Sequence, residues 1–64
     1  MKTYVAYLSC QAYEDTDFRI LYAGDNYESA LIAAETATSY LGTPYTYVQT
    51  WVDGSIIKEI EVQN

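Results

Sequence analysis

The chain has 64 residues and a mass of 7.3 kDa, so we expect a single domain that spans residues 1–64. Nine Asp and Glu residues against three Lys and Arg residues give a net charge of −6, and there is no histidine. Three scattered cations cannot replace the counterions of a nucleic-acid backbone, which argues against direct binding to DNA or RNA. Anionic membranes and polyphosphate ligands are disfavoured for the same reason, whereas a basic protein surface fits by charge. The acidity is also typical of proteins that need it only for solubility.

The single cysteine, Cys10, excludes an internal disulfide and gives secretion no support. Residues 1–5 carry one base and no long apolar run, so we do not expect them to form a signal peptide. No apolar stretch approaches the length needed to span a membrane. We therefore expect a cytoplasmic protein, located in the host cell if a phage encodes it.

Two strands are predicted at the start of the chain. Residues 3–10 are rich in β-forming side chains and predict a first strand. Residues 11–17 are polar and predict a connecting loop. Residues 18–23 predict a second strand, which ends at Gly24.

A helix is predicted next, beginning at Asp25. Asp25 and Glu28 have the spacing of a capping box, in which each side chain accepts from the other residue's backbone N–H. Gly42 and Pro44 are typical of the end of such a helix. The apolar residues between these signals recur at the spacing of one helical face: Tyr27, Ala30, Leu31, Ala34, Ala37 and Leu41.

Two further strands, residues 45–52 and 55–62, flank an Asp53-Gly54 pair that favours a two-residue hairpin turn. A turn of this length predicts four cross-strand pairs: Trp51 with Ile56, Gln49 with Lys58, Tyr47 with Ile60, and Tyr45 with Val62. These eight side chains form the heavier apolar face, which we expect to lie under the helix. The predicted fold is α+β, a four-stranded and mostly antiparallel sheet with one helix across one face, in the order β-β-α-β-β.

One helix covers only one face of a sheet, so the other face is expected to be bare. By this reasoning the bare face carries Val48, Thr50 and Ile57, and Tyr7 is a further candidate. An exposed apolar face usually marks an interface. We therefore predict a homodimer, formed through the bare sheet or through an edge strand. Both faces of the first two strands carry apolar residues, so which of their faces is buried stays open.

Catalytic chemistry has little support in the sequence. Ser9 and Cys10 have no histidine as a base, and a cysteine in an apolar strand is typically buried and inert. The acidic run at residues 14–17 lacks the twelve-residue loop, glycine and closing glutamate of a calcium site. We expect a protein that is not an enzyme and that has no metal and no cofactor.

Tyrosine is over-represented, with eight residues in 64, and this side chain is favoured at protein interfaces. Most of the tyrosines are explained by strand packing, but Tyr13 falls in the predicted polar loop among acidic residues. A tyrosine in such a setting suits a basic partner. The predicted partner-binding residues are therefore Tyr13, Glu14, Asp15, Asp17, Glu59 and Glu61, the last two extending the acidic strip along the final strand.

Three segments, residues 1–5, 25–31 and 48–54, resemble those of many short phage and prophage reading frames. In size, acidity and strand–helix order the whole chain is similar to several anti-CRISPR proteins. The resemblance implies a stoichiometric, non-catalytic inhibitor that occupies a host defence complex such as CRISPR-Cas, often at its nucleic-acid channel. The partner would then be a host protein complex with a basic surface.

Two other functions remain open. The first is a homo-oligomeric structural or accessory module that uses its apolar sheet face for self-assembly. The second is a small-molecule sponge whose tyrosines line a pocket between subunits. Because of the net charge, neutral or cationic ligands are expected for a sponge.

Overall fold

A computed structural model describes residues 1–63 and contains one four-stranded sheet with one helix on it. The strands are ordered β2-β1-β3-β4 across the sheet, and all neighbouring pairs are antiparallel. The predicted α+β fold and its β-β-α-β-β order are therefore confirmed. Within residues 1–63, no helix is long and apolar enough to cross a membrane. The elements are β1 (Lys2–Ala12), β2 (Asp15–Gly24), α1 (Tyr27–Thr36), β3 (Tyr45–Val52) and β4 (Ser55–Gln63).

The first hairpin is tighter than predicted, and the prediction of a seven-residue loop over residues 11–17 is wrong. β1 and β2 extend until only Tyr13 and Glu14 are left in the turn. The polar residues pair as strand, with Cys10 opposite Asp17 and Gln11 opposite Thr16. Ladder hydrogen bonds use backbone groups, so polar side chains at a sheet edge do not prevent strand pairing.

The N-cap of the helix lies one residue later than predicted, and the Asp25–Glu28 capping box is not formed. Asn26 is the N-cap, and its side-chain oxygen accepts from the Ser29 backbone N–H at 3.0 Å. The Asn26 N–H donates to the Tyr22 hydroxyl at 3.1 Å, which ties the cap to β2. Asparagine and aspartate cap helices about equally well, so this tertiary contact accounts for the choice between them.

The helix also ends earlier than predicted, at Thr36, because side chains from the sheet donate hydrogen bonds to the carbonyl oxygens at its C-terminal end. The Thr46 hydroxyl donates to the Ala34 carbonyl at 2.9 Å. The Gln63 amide donates to the carbonyls of Ala34 at 2.6 Å and Ala37 at 3.2 Å. In a longer helix the Ala34 carbonyl would accept from residue 38. Gly42 does have a positive φ, 137°, but it closes a separate turn after the helix.

The second hairpin has the predicted two-residue turn. Asp53 and Gly54 have φ values of 50° and 84°, as the turn requires, and Trp51 lies opposite Ile56. The turn and this first cross-strand pair are therefore confirmed.

Beyond that pair, two β-bulges change the register, and the other three predicted pairs are wrong. Gln49 lies opposite Glu59, and Tyr47 lies opposite Glu61. A shift of one residue moves every later side chain to the other face of the sheet. Ile60 therefore packs on the core under the helix, while the two glutamates turn to the opposite face.

The face under the helix is the one with small side chains, so the prediction that the heavier apolar face lies there is wrong. Ala30 and Ala34 of α1 pack on Ala6 and Val48 at the centre of the sheet. Two alanines one turn apart let a helix approach the sheet more closely than aromatic side chains would. Val48 is 1% exposed, so its predicted place in an oligomer interface is also wrong. Thr50 lies on the same helix-side face and is not part of the bare one.

Candidate functional site

The candidate site is the open face, which we define as the side of the sheet that points away from α1. Side chains alternate along each strand, and directly opposite residues share a face, so the ladder register determines its members. The side chains that form its surface are Tyr7, Phe18, Ile20, Tyr45, Tyr47, Gln49, Trp51, Ile56, Glu59 and Glu61.

Three aromatic rings form a continuous platform across β2, β1 and β3. The rings of Tyr7 and Tyr47 are stacked, with centroids 5.0 Å apart and an interplanar angle of 21°. Phe18 lies on the other side of Tyr7 at 5.5 Å. Tyr7 is therefore the centre of the platform, as expected for a residue of β1, one of the two central strands.

A chain of side-chain hydrogen bonds borders this platform on the β4 side. The Tyr7 hydroxyl and the Gln49 amide both donate to Glu59 Oε1, each at 2.9 Å. The Trp51 indole N–H donates to the Gln49 side-chain oxygen at 3.0 Å. These bonds hold the Glu59 carboxylate in one orientation beside the aromatic rings.

The tyrosines of the platform stay protonated well above neutral pH. Partial burial, the hydrogen bond to Glu59 and the charge of that carboxylate raise the pKa of Tyr7 to about 12. Partial burial and the nearby charge of Glu61 also raise the pKa of Tyr47. Both residues therefore act as neutral donors and ring faces at physiological pH, and Tyr7 is a poor general base or nucleophile.

Much of the open face is apolar and exposed to solvent. Phe18 and Ile20 on β2 are 59% and 57% exposed, and Tyr45 and Ile56 are 49% and 45% exposed. A hollow of about 360 Å³ lies beside Trp51, where Thr3 and Val5 also line it. Contiguous exposed apolar surface of this kind is typical of an interaction site.

Charge is divided between the two sides of the sheet. Glu59 and Glu61 are the charged residues that the register places on the open face. Arg19 is opposite the buried Leu8, on the helix side, and Lys2 and Lys58 also lie there. Within residues 1–63 no Lys or Arg residue falls on the open face, and the Met1 ammonium at its border is paired with Asp53, so the charged side chains of this face are acidic.

Tyr13, Glu14 and Asp15, which were predicted to bind a partner, lie together at the tip of the first hairpin. Tyr13 is fully exposed and has a φ of 56°, an uncommon conformation for a bulky residue. Glu14 and Asp15 are exposed beside it. The structure thus leaves these three residues accessible, although in a tight turn and not in a loop.

Asp17 is a structural residue, and its predicted role in partner binding is wrong. It is only 7% exposed and accepts from the Ser39 hydroxyl at 2.8 Å and from Arg19 Nε at 3.0 Å. The Ser39 hydrogen bond and the Arg19 guanidinium lower the pKa of this carboxyl. Asp17 therefore fastens the segment after the helix to β2.

The predicted acidic strip does not form. Glu59 and Glu61 lie on β4, whereas the hairpin tip belongs to β1 and β2, and β2 and β4 are opposite edges of the sheet. Three strand spacings separate these edges, about 14 Å. Ile57, at 60% exposure, is the extra residue of a bulge and lines a groove on the helix side, so it is not part of the bare face.

Several residues of the open face were not identified from the sequence, notably Phe18, Ile20, Gln49 and Trp51. A usable signal was present, because Phe18 and Ile20 flank Arg19 at strand spacing, and the aromatic residues of β3 all fall on alternate positions. Tyr7, by contrast, was named as an interface candidate and lies at the centre of the face.

Comparison with known proteins gives no match, since no family model, curated protein or solved structure matches the chain. The resemblance to anti-CRISPR proteins therefore stays a prediction.

Proposed function

We propose that this chain is a non-enzymatic binding protein that docks through its open face onto a basic surface of a protein partner. The observation that supports this is the combination of an aromatic platform with two carboxylates and no Lys or Arg among the described residues of that face, where the Met1 ammonium at the border is paired with Asp53. Lys and Arg side chains of a partner can lie over the Tyr7 and Tyr47 rings and pair with Glu59 or Glu61. Such a partner satisfies both the apolar and the charged part of the surface.

The dimensions of the face suit one partner. The molecule measures 38 × 20 × 15 Å, so its broad side is comparable with the roughly 800 Å² that each protein contributes to a standard interface. Basic surfaces of this extent are typical of proteins that handle nucleic acid. With the resemblance to anti-CRISPR proteins, this makes a phage-encoded inhibitor of a host defence complex such as CRISPR-Cas the preferred function.

A pull-down with matched variants tests the proposal. The tagged chain is incubated with a lysate of CRISPR-bearing bacteria at low and high salt, and bound proteins are identified by mass spectrometry. We expect one nucleic-acid-handling complex, with recovery that falls at high salt. The variant Glu59→Gln/Glu61→Gln should lower its recovery about tenfold, because two charge-assisted contacts are lost. The control Glu28→Gln/Glu35→Gln changes the net charge equally on the exposed side of α1 and should leave recovery unchanged.

Two results would contradict the proposal. If both double variants reduce recovery equally, net charge and not the open face governs binding. If the bait recovers only itself at both salt concentrations, the inhibitor function fails for the host tested. Circular dichroism of each variant establishes that its fold is intact before the comparison is made.

A homo-oligomeric module is the second candidate, favoured by the exposed Phe18 and Ile20. Face-to-face pairing of two copies would, however, bring two sets of Glu59 and Glu61 together with no cation between them. Such a dimer should strengthen at high salt, where the repulsion is screened. Sedimentation velocity at two salt concentrations separates the candidates, since the docking proposal expects a monomer at both.

A further inference from the structure

A second surface feature, independent of the open face, lies on the helix side of the sheet. It is a groove of about 390 Å³ between the first turn of α1 and the neighbouring ends of β1, β3 and β4. This volume falls within the range of small-molecule sites, roughly 300–1,000 Å³. The side chains that line the groove include Lys2, Tyr4, Tyr27, Ile57 and Lys58.

The groove contains both lysines of the chain. The remaining cationic groups are neutralised locally, Arg19 by Asp17 and the amino group of Met1 by Asp53 at 3.1 Å. No carboxylate of residues 1–63 lies within 4.0 Å of the Lys2 or Lys58 ammonium. In a chain with nine acids and three bases, two ammonium groups on one groove without a carboxylate form a local positive site.

The walls of the groove combine two aromatic rings and aliphatic side chains with the polar ends of its lysines and of Thr50. The rings of Tyr4 and Tyr27 meet edge to face, with centroids 5.3 Å apart. Ile57 is 60% exposed and is placed on the groove by the β-bulge opposite Thr50 and Trp51. β-Bulges are over-represented beside functional sites, where they re-aim a side chain. The groove therefore offers aromatic and aliphatic surface next to two cations.

We propose that this groove binds a nucleoside monophosphate, a phosphate monoester attached to a planar heteroaromatic body. A phosphate monoester carries a charge of about −1.5 to −2 at pH 7, which two ammonium groups balance. The base would lie against Tyr27 and Ile57, where ring stacking and apolar burial are available. Asp25 and Glu28 line a neighbouring hollow that shares Tyr4 and Tyr27 but neither lysine.

The net charge predicts that a small-molecule sponge would bind neutral or cationic ligands. The ligand proposed for this groove is instead an anion. The difference arises because charges separated by more than the Debye length, about 8 Å at physiological salt, are largely screened. A bound anion responds to the two lysines beside it more than to Glu59 and Glu61 on the far face of the sheet. Asp25 and Glu28 border the groove at its Tyr4–Tyr27 end, so the phosphate is expected at the opposite, lysine end. Local charge, and not net charge, therefore decides which ligand the groove accepts.

An NMR titration of the ¹⁵N-labelled chain with adenosine 5′-monophosphate tests the proposal. We expect saturable shifts of backbone amides in residues 2–4, 27 and 57–60. Adenosine and inorganic phosphate are titrated separately, and each should bind more weakly than the monophosphate because it uses only half of the groove. The variant Lys2→Gln/Lys58→Gln should weaken binding at least about tenfold. The conservative variant Lys2→Arg/Lys58→Arg keeps both charges and should retain most of the affinity.

Each other outcome overturns a defined part of the proposal. No saturable shift up to about 10 mM, where binding would be weaker than that of most specific ligands, rejects the site. Equal affinity for adenosine and the monophosphate removes the role of the lysines, and equal affinity for inorganic phosphate removes the role of the aromatic wall. The open-face variant Glu59→Gln/Glu61→Gln should bind the nucleotide like the original chain, so this inference and the docking proposal fail separately.

Discussion

The two faces of the same sheet are built from different kinds of apolar residue. The covered face packs Ala30 and Ala34 of the helix against Ala6 and Val48, all of which are buried. The open face presents aromatic rings, of which Tyr7 is the centre, and it stays partly exposed. A ten-residue helix is only about 15 Å long, so it covers the sheet effectively only where small side chains allow close approach.

The difference teaches that side-chain size, more than summed apolarity, decides which face a short helix covers. Aromatic residues bring more apolar area, but they hold a helix farther from the strands and leave gaps at its sides. The large rings therefore lie on the face where nothing from the same chain has to fit over them. The face that stabilises the fold and the face available to partners are separate in this molecule.

The largest expected effect comes from shortening a buried side chain under the helix. Leu8→Ala should destabilise the fold by about 2–5 kcal/mol, because Leu8 is fully buried and a cavity would remain. A domain of this size has a total stability of only a few kcal/mol, so the variant should be largely unfolded. The matched variant on the open face, Ile20→Ala, should lower the stability by less than about 1 kcal/mol, since Ile20 is 57% exposed.

Urea unfolding followed by circular dichroism measures both variants. Similar losses of stability for Leu8→Ala and Ile20→Ala would show that the open face is also buried in solution. The division of the sheet into a stabilising face and an available face would then be wrong.

A smaller effect is expected from the hydrogen bonds that end the helix. The Thr46 hydroxyl donates to the Ala34 carbonyl and accepts from the Gln63 N–H at 3.1 Å. Thr46→Val keeps the shape and removes both bonds in a buried place, which should cost about 1–3 kcal/mol. Thr50→Val, on the same face of β3 but only half-buried, should change the stability by less than about 0.5 kcal/mol.

Thermal unfolding of the two threonine variants provides the comparison. If Thr50→Val proves as costly as Thr46→Val, the loss reflects β3 in general and not the contact with α1. The proposed reason for the early end of the helix would then fail.

Most of the fold was predictable because it depends on local signals. Turn residues such as Asp53 and Gly54 determine their own backbone geometry, and strand-forming runs are visible in the sequence. The order of elements and the second hairpin turn follow from these signals alone. The end of the helix does not, because it depends on Thr46 and Gln63, which follow it in the chain and reach it only after the sheet has formed.

The candidate site was less predictable because it depends on register. The bulge at Ile57 places Glu59 and Glu61 beside the aromatic platform and turns Ile60 toward the helix, and no local signal in residues 55–63 marks it. A single slip of register exchanges the two faces of a strand. Val48 was assigned to the wrong face for a different reason, because the heavier apolar face of β3 was expected to lie under the helix.

The finest test of the open face is the ionisation of Tyr7, whose hydrogen bond to Glu59 joins the platform to its acidic border. The protonated hydroxyl is the form that makes this bond, and the pKa of Tyr7 in the folded chain is about 12 against an ordinary 10.0. The stability from this contact is therefore fully present below pH 10 and is lost as the pH rises through about 12. In Glu59→Gln the amide oxygen still accepts, but the negative charge is gone, so the pKa of Tyr7 should fall toward its ordinary value. The control Glu14→Gln alters an acid at the distant hairpin tip and should leave the pKa of Tyr7 unchanged.

NMR titration of chains with labelled tyrosine rings follows each residue separately. If the pKa of Tyr7 in the original chain proves to be the ordinary 10.0, the bond to Glu59 does not persist in solution. The carboxylate would then lack a fixed orientation for a partner's cation, and the open face would keep only its apolar surface as a means of recognition.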